Sequence, residues 1–278
     1  MNERVIVTGA SGFVGRRIVQ ALLERGVGVR LLVRDPARAA ALFPARGVEL
    51  VEIEDLFTAS VETLQTVLAG GEMLVHAAWY AEPGRYLDSE RNLTCLSGSL
   101  RLAEAFIVVG GRRFVGIGSC AEYDPTPGSL DIHTPLRPQT LYGACKASTY
   151  QVLEQLLRVA GVEFAWCRPF YLYGEGEDPR RLVAYLHARL AAGLPVDLGS
   201  GEQVRDYLDV ERAGEMIAEV ALGGRCGAFN ICSGRGQSVR QIAERVADGY
   251  GRRDLLRFGS RPDNPQDPPC IIGVLDET

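Results

Sequence analysis

The 278-residue sequence predicts an α/β fold, a doubly wound parallel sheet with a smaller C-terminal domain. Three observations predict it. Short β-branched runs alternate with amphipathic runs over most of the chain, the pattern of parallel strands joined by helices. Three glycines, Gly9, Gly12 and Gly15, punctuate the first handover from strand to helix. Beyond Arg168-Pro169 the alternation gives way to stretches rich in Gly, Pro and Arg.

Val5-Ile6-Val7 opens the first strand, Val5–Thr8, a β-branched run suited to a buried parallel sheet. Val14, Ile18, Ala21 and Leu22 then recur at helical spacing while Arg16, Arg17, Glu24 and Arg25 take the opposite face. This predicts a helix over 14–25. The same reading places strands at Val29–Val33, Glu49–Ile53, Met73–Ala77, Arg113–Ile117, Phe164–Cys167 and Ala228–Ile231. Helices are expected over 61–69, 91–109, 141–160 and 209–222. The terminal stretch "RPDNPQDPPCIIGVLDET" is broken by proline and predicts loop or edge strand.

Composition narrows the function classes. Hydrophobic content of 46% with 23% charged residues is that of an ordinary globular chain. A net charge of −5 and a pI near 5.4 supply no basic field for nucleic acid. No apolar run reaches the ~20 residues of a membrane span, and the first strand begins too early to leave room for a signal peptide. The seven cysteines form no C-x-x-C pair and read as reduced thiols, not disulfides or a zinc site. His133 and His187 have no zinc-ligand pattern, and His76 reads as a packing residue. A cytoplasmic protein without metal is expected.

The glycine turn brings backbone N–H groups and a helix N-terminus close to an anion, as in a Rossmann unit holding a dinucleotide pyrophosphate. A bare strand-to-helix turn without a ligand would use the same glycines. The second strand ends "RLLVRDPARAA", where Arg34 and Arg38 suit a 2′-phosphate, because guanidinium donates in a planar fork. NADPH is favoured over NAD on this ground. Asp35 between them could instead face the ribose, and two solvated arginines are the plainer alternative.

"GIGSCAEYD" places Ser119 at a strand end, and "YGACK" supplies Tyr142 and Lys146. Four apart on a helix, Tyr142 and Lys146 share a face. The ammonium is expected to favour the phenolate and lower the tyrosine pKa from about 10, making it a usable proton donor or acceptor. Ser119 would hydrogen-bond the substrate oxygen that changes charge. A surface Tyr-x-x-x-Lys pair is common by chance, but here it accompanies the glycine turn and the strand-end serine.

With these residues in view, the sequence resembles the extended short-chain dehydrogenase/reductases acting on nucleotide sugars, over nearly its whole length. The carriers are "TGASGFVG", Asp55-Leu56, "HAAW", "GSCAEYD", "TPLRPQTLYGACK", "RPFYLYG", "VRDYLDV" and "FNICSG". The resemblance implies an NADP-binding Rossmann domain over 1–167, with a segment near 206–232 returning to it, and a mainly substrate-binding domain over 168–278. It implies cofactor contacts from Gly9, Ser11, Gly12, Phe13, Val14, Gly15, Arg34, Arg38, Asp55, Leu56, Ala77, Ala78, Lys146 and Pro169. It makes Ser119, four residues before Tyr123, the third member of a triad with Tyr142 and Lys146. A homodimer through paired helices is implied as well.

On the substrate side it points to Trp79, Cys120, Ala121, Tyr171, Arg205 and Arg261, the two arginines matching ones that meet a sugar-nucleotide pyrophosphate. Two departures bear on the reaction. Family dehydratases carry an Asp-Glu pair where this chain has Cys120 and Ala121, which cannot do carboxylate chemistry; Glu122, one step on, is expected to be a structural or substrate-binding carboxylate rather than a relocated base. Tyr171 replaces an asparagine that touches the diphosphate. The first departure disfavours dehydration, and Arg34, pointing to NADPH, favours reduction of a nucleotide-diphospho-4-keto-6-deoxyhexose. The alternatives are a 4-epimerase with bound NAD and, in another class, a non-catalytic NADP(H)-binding sensor.

Overall fold

The computed structural model describes residues 4–44, 46–265 and 267–275. The first half runs β1 (Val5–Thr8), α1 (Gly15–Glu24), β2 (Val29–Val33), α2 (Pro36–Leu42), β3 (Val48–Glu52), α3 (Val61–Leu68), β4 (Met73–His76), α4 (Arg91–Val108), β5 (Arg113–Ile117), β6 (Ser129–Leu130) and α5 (Leu141–Val159). The second continues with β7 (Glu163–Pro169), β8 (Tyr171–Tyr173), α6 (Leu182–Ala191), β9 (Val196–Asp197), β10 (Val204–Asp209), α7 (Val210–Leu222), β11 (Gly227–Ile231), β12 (Gly236–Ser238), α8 (Val239–Tyr250), β13 (Leu256–Arg257) and β14 (Cys270–Gly273).

Seven strands form one parallel sheet in the order β11-β7-β5-β4-β1-β2-β3. This is the Rossmann-like, doubly wound architecture. Ile18, Val19 and Leu22 of α1 pack with Ala213, Ile217 and Ala221 of α7 on one face. Leu64, Leu102, Phe106, Leu153 and Leu157, from α3, α4 and α5, cover the other. Burial on both faces explains why strands such as Val5-Ile6-Val7 are apolar throughout rather than alternating. The chain leaves β1 toward β2 on one side and reaches β4 on the other, so a topological switch lies between β1 and β4. In open α/β sheets ligands bind in the crevice at such a point.

A second sheet runs β12-β10-β14-β6, with β8 paired to β10. Here the structure corrects part of the expectation for the C-terminus. The described residues of 261–269 are loop, as expected, and 276–278 lie outside the described residues, but β14 lies between β10 and β6, parallel to both, and is neither loop nor edge. The prolines that break the preceding stretch stop short of Cys270, leaving Cys270-Ile271-Ile272-Gly273 able to donate to both neighbours. The helix expected after the second strand, with Arg38 in it, is α2. Two helices were not anticipated: the α6 and α8 segments lie in the Gly/Pro/Arg-rich half and pack on each other through Val183, Leu186, Ile242 and Ala243.

Candidate active site

The C-terminal ends of β1 to β4 open onto a cleft of about 760 Å³. Gly9, Ser11 and Gly12 line one wall, Arg34, Asp55 and Leu56 another, and Ala77, Ala78 and Trp79 the floor of the switch. The three glycines are not equivalent. Gly9 has φ +70°, and a Cβ there would stand 2.5 Å from Ala78 N; one on Gly15 would stand 2.0 Å from Gly9 O. Those two are required by the chain's own packing. A Cβ on Gly12 meets only Gly9 O, at 3.2 Å, and Gly12 faces the cleft. Behind it α1 starts at Gly15, its N-cap Val14 giving no side-chain cap and its first turn holding no acidic residue. An uncapped helix N-terminus over a glycine that opens to a cleft is suited to the pyrophosphate of a dinucleotide. Phe13, Val14, Gly15, Arg38 and Pro169 lie outside the lining of this cleft; Pro169 ends β7 opposite Ile231.

The residues after β2 divide their work. Asp35 Oδ1 accepts from the Arg38 amide at 2.9 Å and caps α2, so its carboxylate is turned to the helix. Arg34 is exposed at the cleft wall, and among the described residues neither it nor Arg38 forms an ion pair.

Ser119 follows β5 and caps a single helical turn, Cys120–Glu122, accepting from Ala121 N at 3.1 Å. Glu122 returns the bond: its Oε1 accepts from Ser119 N at 2.8 Å. This carboxylate is fully buried and also receives Trp166 Nε1 at 3.0 Å and Arg168 Nε at 2.7 Å. Arg168 in turn donates to Tyr123 Oη at 3.0 Å, and Tyr123 to Asn230 Oδ1 at 2.8 Å. Glu122 therefore points into the core and holds the serine turn in place.

Thr140 caps α5 by accepting from Gly143 N at 3.1 Å, which fixes the helix that carries Tyr142 and Lys146. Tyr142 is half-buried, with the Tyr86 ring edge-on at 4.8 Å and the Trp79 ring at 6.5 Å. Burial raises its phenol above the ordinary value and nearby Tyr86 adds to this, while the Ser119 hydroxyl opposes it. Lys146 is buried; its Nζ donates to Ile117 O at 2.5 Å and lies 3.8 Å from the Trp79 ring centroid. Burial draws Lys146 down to about 7, with Glu122 and Cys95 opposing. The expected lowering of Tyr142 by Lys146 is thus corrected. In this arrangement the ammonium is directed to a carbonyl and an indole, and desolvation dominates the phenol.

Sequence reasoning missed a polar stripe on the buried face of α4. Asn92, Cys95 and Ser99, spaced i, i+3, i+7, hold the segment after β4. Asn92 Oδ1 accepts from Trp79 Nε1 at 2.8 Å, Cys95 Sγ from Tyr80 N at 3.4 Å, and Ser99 Oγ lies 2.8 Å from His76 Nε2. Ser99 donates its own proton to Cys95 O at 2.7 Å, so it accepts from His76. His76 Nδ1 is left to accept from Thr8 Oγ1 at 2.8 Å, and that hydroxyl receives Ala78 N at 3.3 Å. Burial holds His76 down at about 3, with Lys146 adding to the shift, so the ring is neutral. Polar side chains recurring at helical spacing were the one signal in the sequence.

On the other side of the Ser119 turn, Cys120, Tyr171 and Arg205 come together. Burial pushes the Cys120 thiol up to about 12, with Glu122 adding and Arg205 opposing. The buried Arg205 guanidinium lies 5.4 Å from the Tyr171 ring centroid and 2.7 Å from Asp267 Oδ1. Arg261 stands elsewhere, exposed, with Nη2 donating to Tyr185 Oη of α6 at 3.2 Å. Trp79 is the joint between the two regions, since it lines the cleft and touches both Tyr142 and Lys146. Among the described residues no group of His, Cys, Asp and Glu could hold a metal ion, and no helix is long and apolar enough to cross a membrane.

A nucleotide cleft at the switch point beside a Ser-Tyr-Lys set defines a Rossmann-type enzyme. Residues 5–232 match the NAD dependent epimerase/dehydratase family, and the chain belongs to that family. It is 26% identical to the dTDP-6-deoxy-L-talose 4-dehydrogenase (NAD(+)) of Aggregatibacter actinomycetemcomitans, over 97% of this chain and 99% of that protein. It is 28% identical to the GDP-6-deoxy-D-mannose reductase of Pseudomonas aeruginosa, over 89% of this chain and 80% of that one. Among solved structures, the UDP-glucose 4-epimerase of Thermus thermophilus in complex with NAD is similar with a TM-score of 0.84. The identity there is 25%, covering 98% of this chain and 90% of the other.

Proposed function

We propose that this protein reduces the 4-keto group of a nucleotide-diphospho-4-keto-6-deoxyhexose with NADPH. The observation that carries the cofactor choice is the division of labour after β2: Asp35 is spent on capping α2, while Arg34 lines the cleft without an ion pair. A ribose diol has lost its acidic partner there, and a 2′-phosphate has gained a cationic one. The residues that would hold the cofactor are Gly12, the uncapped start of α1, Arg34 and the floor at Ala77 and Ala78. When bound, the nicotinamide supplies the hydride.

The chain's own residues supply the proton and the orientation. Burial keeps the Tyr142 phenol protonated at neutral pH, the state a donor to the C4 oxygen needs. Ser119, fixed by the Glu122 carboxylate, is placed beside that phenol to hold the same oxygen. Arg205, Tyr171 and Cys120 would take the sugar nucleotide. Cys120 and Ala121 provide no acid or base for removing water, which sets this reading apart from dehydration. The names of two relatives support the redox step at a 6-deoxyhexose nucleotide, one being a 4-dehydrogenase that uses NAD(+) and one a reductase, while the choice of NADPH rests on Arg34 and Asp35 alone. Exposed Leu93 and Val108 on α4 with Val152 and Val159 on α5 support the homodimer.

The test is to mix the protein with NADPH and a panel of 4-keto-6-deoxyhexose nucleotides and follow absorbance at the NADPH band. Stoichiometric oxidation with a 4-hydroxy product is expected. Interconversion of UDP-glucose and UDP-galactose without added NADPH would establish the epimerase reading instead. Release of a 4-keto-6-deoxy product from an unmodified hexose nucleotide would overturn the proposed reaction.

A further inference from the structure

Lys146 is the only lysine in the chain, every other basic side chain of its kind being arginine. It is buried, and among the described residues no carboxylate pairs with it at ion-pair distance. The titratable groups around it are Glu122 from the turn after β5, Cys95 on α4, His76 at the end of β4 and Tyr142 one turn away on α5. Of these, Glu122 is committed to Arg168, Trp166 and the Ser119 amide. What meets the ammonium directly is one carbonyl, Ile117 O at 2.5 Å, and the π face of Trp79 at 3.8 Å, while the Trp166 ring stands further off at 5.9 Å.

That π face is itself fixed. The indole N–H donates to Asn92 Oδ1 at 2.8 Å, and the Asn92 amide donates to Tyr86 O at 2.6 Å and Ser89 O at 2.9 Å. Asn92 is fully buried, so all these bonds are made away from water. One asparagine thus sets both the ring over Lys146 and the backbone of the tyrosine that stands against Tyr142. A tryptophan face attracts a desolvated cation more strongly than the other aromatic rings do.

We propose that Trp79 is a positioning residue whose indole face, anchored by Asn92, takes the place of a carboxylate in holding the Lys146 side chain charged and directed at the end of β5. The proposal rests on the reading of Lys146 as part of the active site, but its test does not pass through turnover. With leucine in place of the indole, the amine keeps an apolar cover and loses its counter-group, so it gives up its proton at lower pH.

Labelling with ε-¹³C-lysine gives a single methylene resonance, because the chain has one lysine. In the wild-type protein the ε-protons should lie upfield of those of free lysine, shielded by the ring, and should titrate well below the ordinary value of about 10.4. Trp79→Leu should lose the upfield displacement and lower the midpoint by a further unit or so, about what a desolvated cation–π contact supplies. Trp79→Phe, which keeps a face, should recover part of both. A wild-type methylene at the free-lysine position overturns the proposal without any variant. So does a Trp79→Leu midpoint equal to or above the wild-type one. NADPH oxidation assays on the same samples test the proposed reaction separately, so failure of one reading is distinguishable from failure of the other.

Discussion

Glu122 and Arg168 meet at 2.7 Å between side chains that are 0% and 1% exposed, and this pair lies directly beneath the candidate catalytic serine. Removing one partner of a buried pair leaves the other charge uncompensated, at a cost of about 3–5 kcal/mol. Glu122→Gln should therefore lower the urea midpoint strongly and loosen the Ser119 turn. Chemical denaturation measures the loss; a change under about 1 kcal/mol would show that the pair is dispensable.

The two classes of glycine in the first turn should separate in one experiment. Gly12→Val should abolish NADPH binding with little change in melting temperature, because Gly12 opens to the cleft. Gly15→Val should destabilise the fold by at least the ~1–3 kcal/mol of an overpacked site, since its Cβ lies on Gly9 O. Titration calorimetry and thermal melts decide it. Normal NADPH binding by Gly12→Val would leave the glycine turn without its proposed ligand.

Arg34→Ala should weaken NADPH binding by about 1.5–3 kcal/mol, the range for a hydrogen bond to a charged group, and leave NADH nearly unchanged. Asp35→Ala should behave oppositely, costing about 1 kcal/mol of stability through the lost cap of α2 with no change in the NADPH/NADH ratio. Equal losses for both cofactors in Arg34→Ala would sink the assignment.

Tyr142→Phe keeps the ring that packs on Tyr86 and Trp79, so the cofactor should still bind. Single-turnover hydride transfer should fall by ~10²–10⁴, the contribution of a positioned acid. Near-normal turnover would falsify the mechanism.

His76 gives a pH dependence. Burial holds it at about 3 when folded, against about 6.5 when unfolded. As pH falls below 6.5 the unfolded chain takes up this proton and the folded chain does not. Stability is therefore lost between about pH 6.5 and 3, by up to ~1.4 kcal/mol per pH unit, with no slope from this group above that window. In His76→Gln the slope of unfolding free energy between pH 6 and 4 should be smaller by about one proton. An unchanged slope would mean that His76 titrates normally.

Much of this architecture was legible in the sequence, for a physical reason. A strand buried on both faces is apolar over most of its length, so Val5–Thr8, Val29–Val33 and Arg113–Ile117 were placed with the bounds the structure shows. The smaller pairings were not legible, because β6 of the second sheet, and β9 and β13, which pair with each other, are two residues long and take their form from distant partners. One missed helix did carry a signal: Ser238 and Gln241 form a capping box at the start of α8. In the site, residue types at the strand ends were readable, but their directions were not. The helical spacing of Tyr142 and Lys146 was correct, yet the lysine's choice of Ile117 O and Trp79 depends on side chains from β4 and α4.

The placement of β14 has a consequence for how the chain is made. Ile272 N donates to Gly128 O at 2.8 Å, and Cys270 Sγ approaches the same oxygen across 142 positions of sequence. On a ribosome adding about 5–20 residues per second, β6 waits roughly 7–30 s for the strand that completes its sheet. Throughout that interval β6 presents an open edge, and β10 does so from the time it is made, the kind of surface that invites pairing with another chain. The large parallel sheet can close as soon as β11 emerges, so the nascent protein passes through a state with a finished nucleotide cleft and an unfinished second sheet.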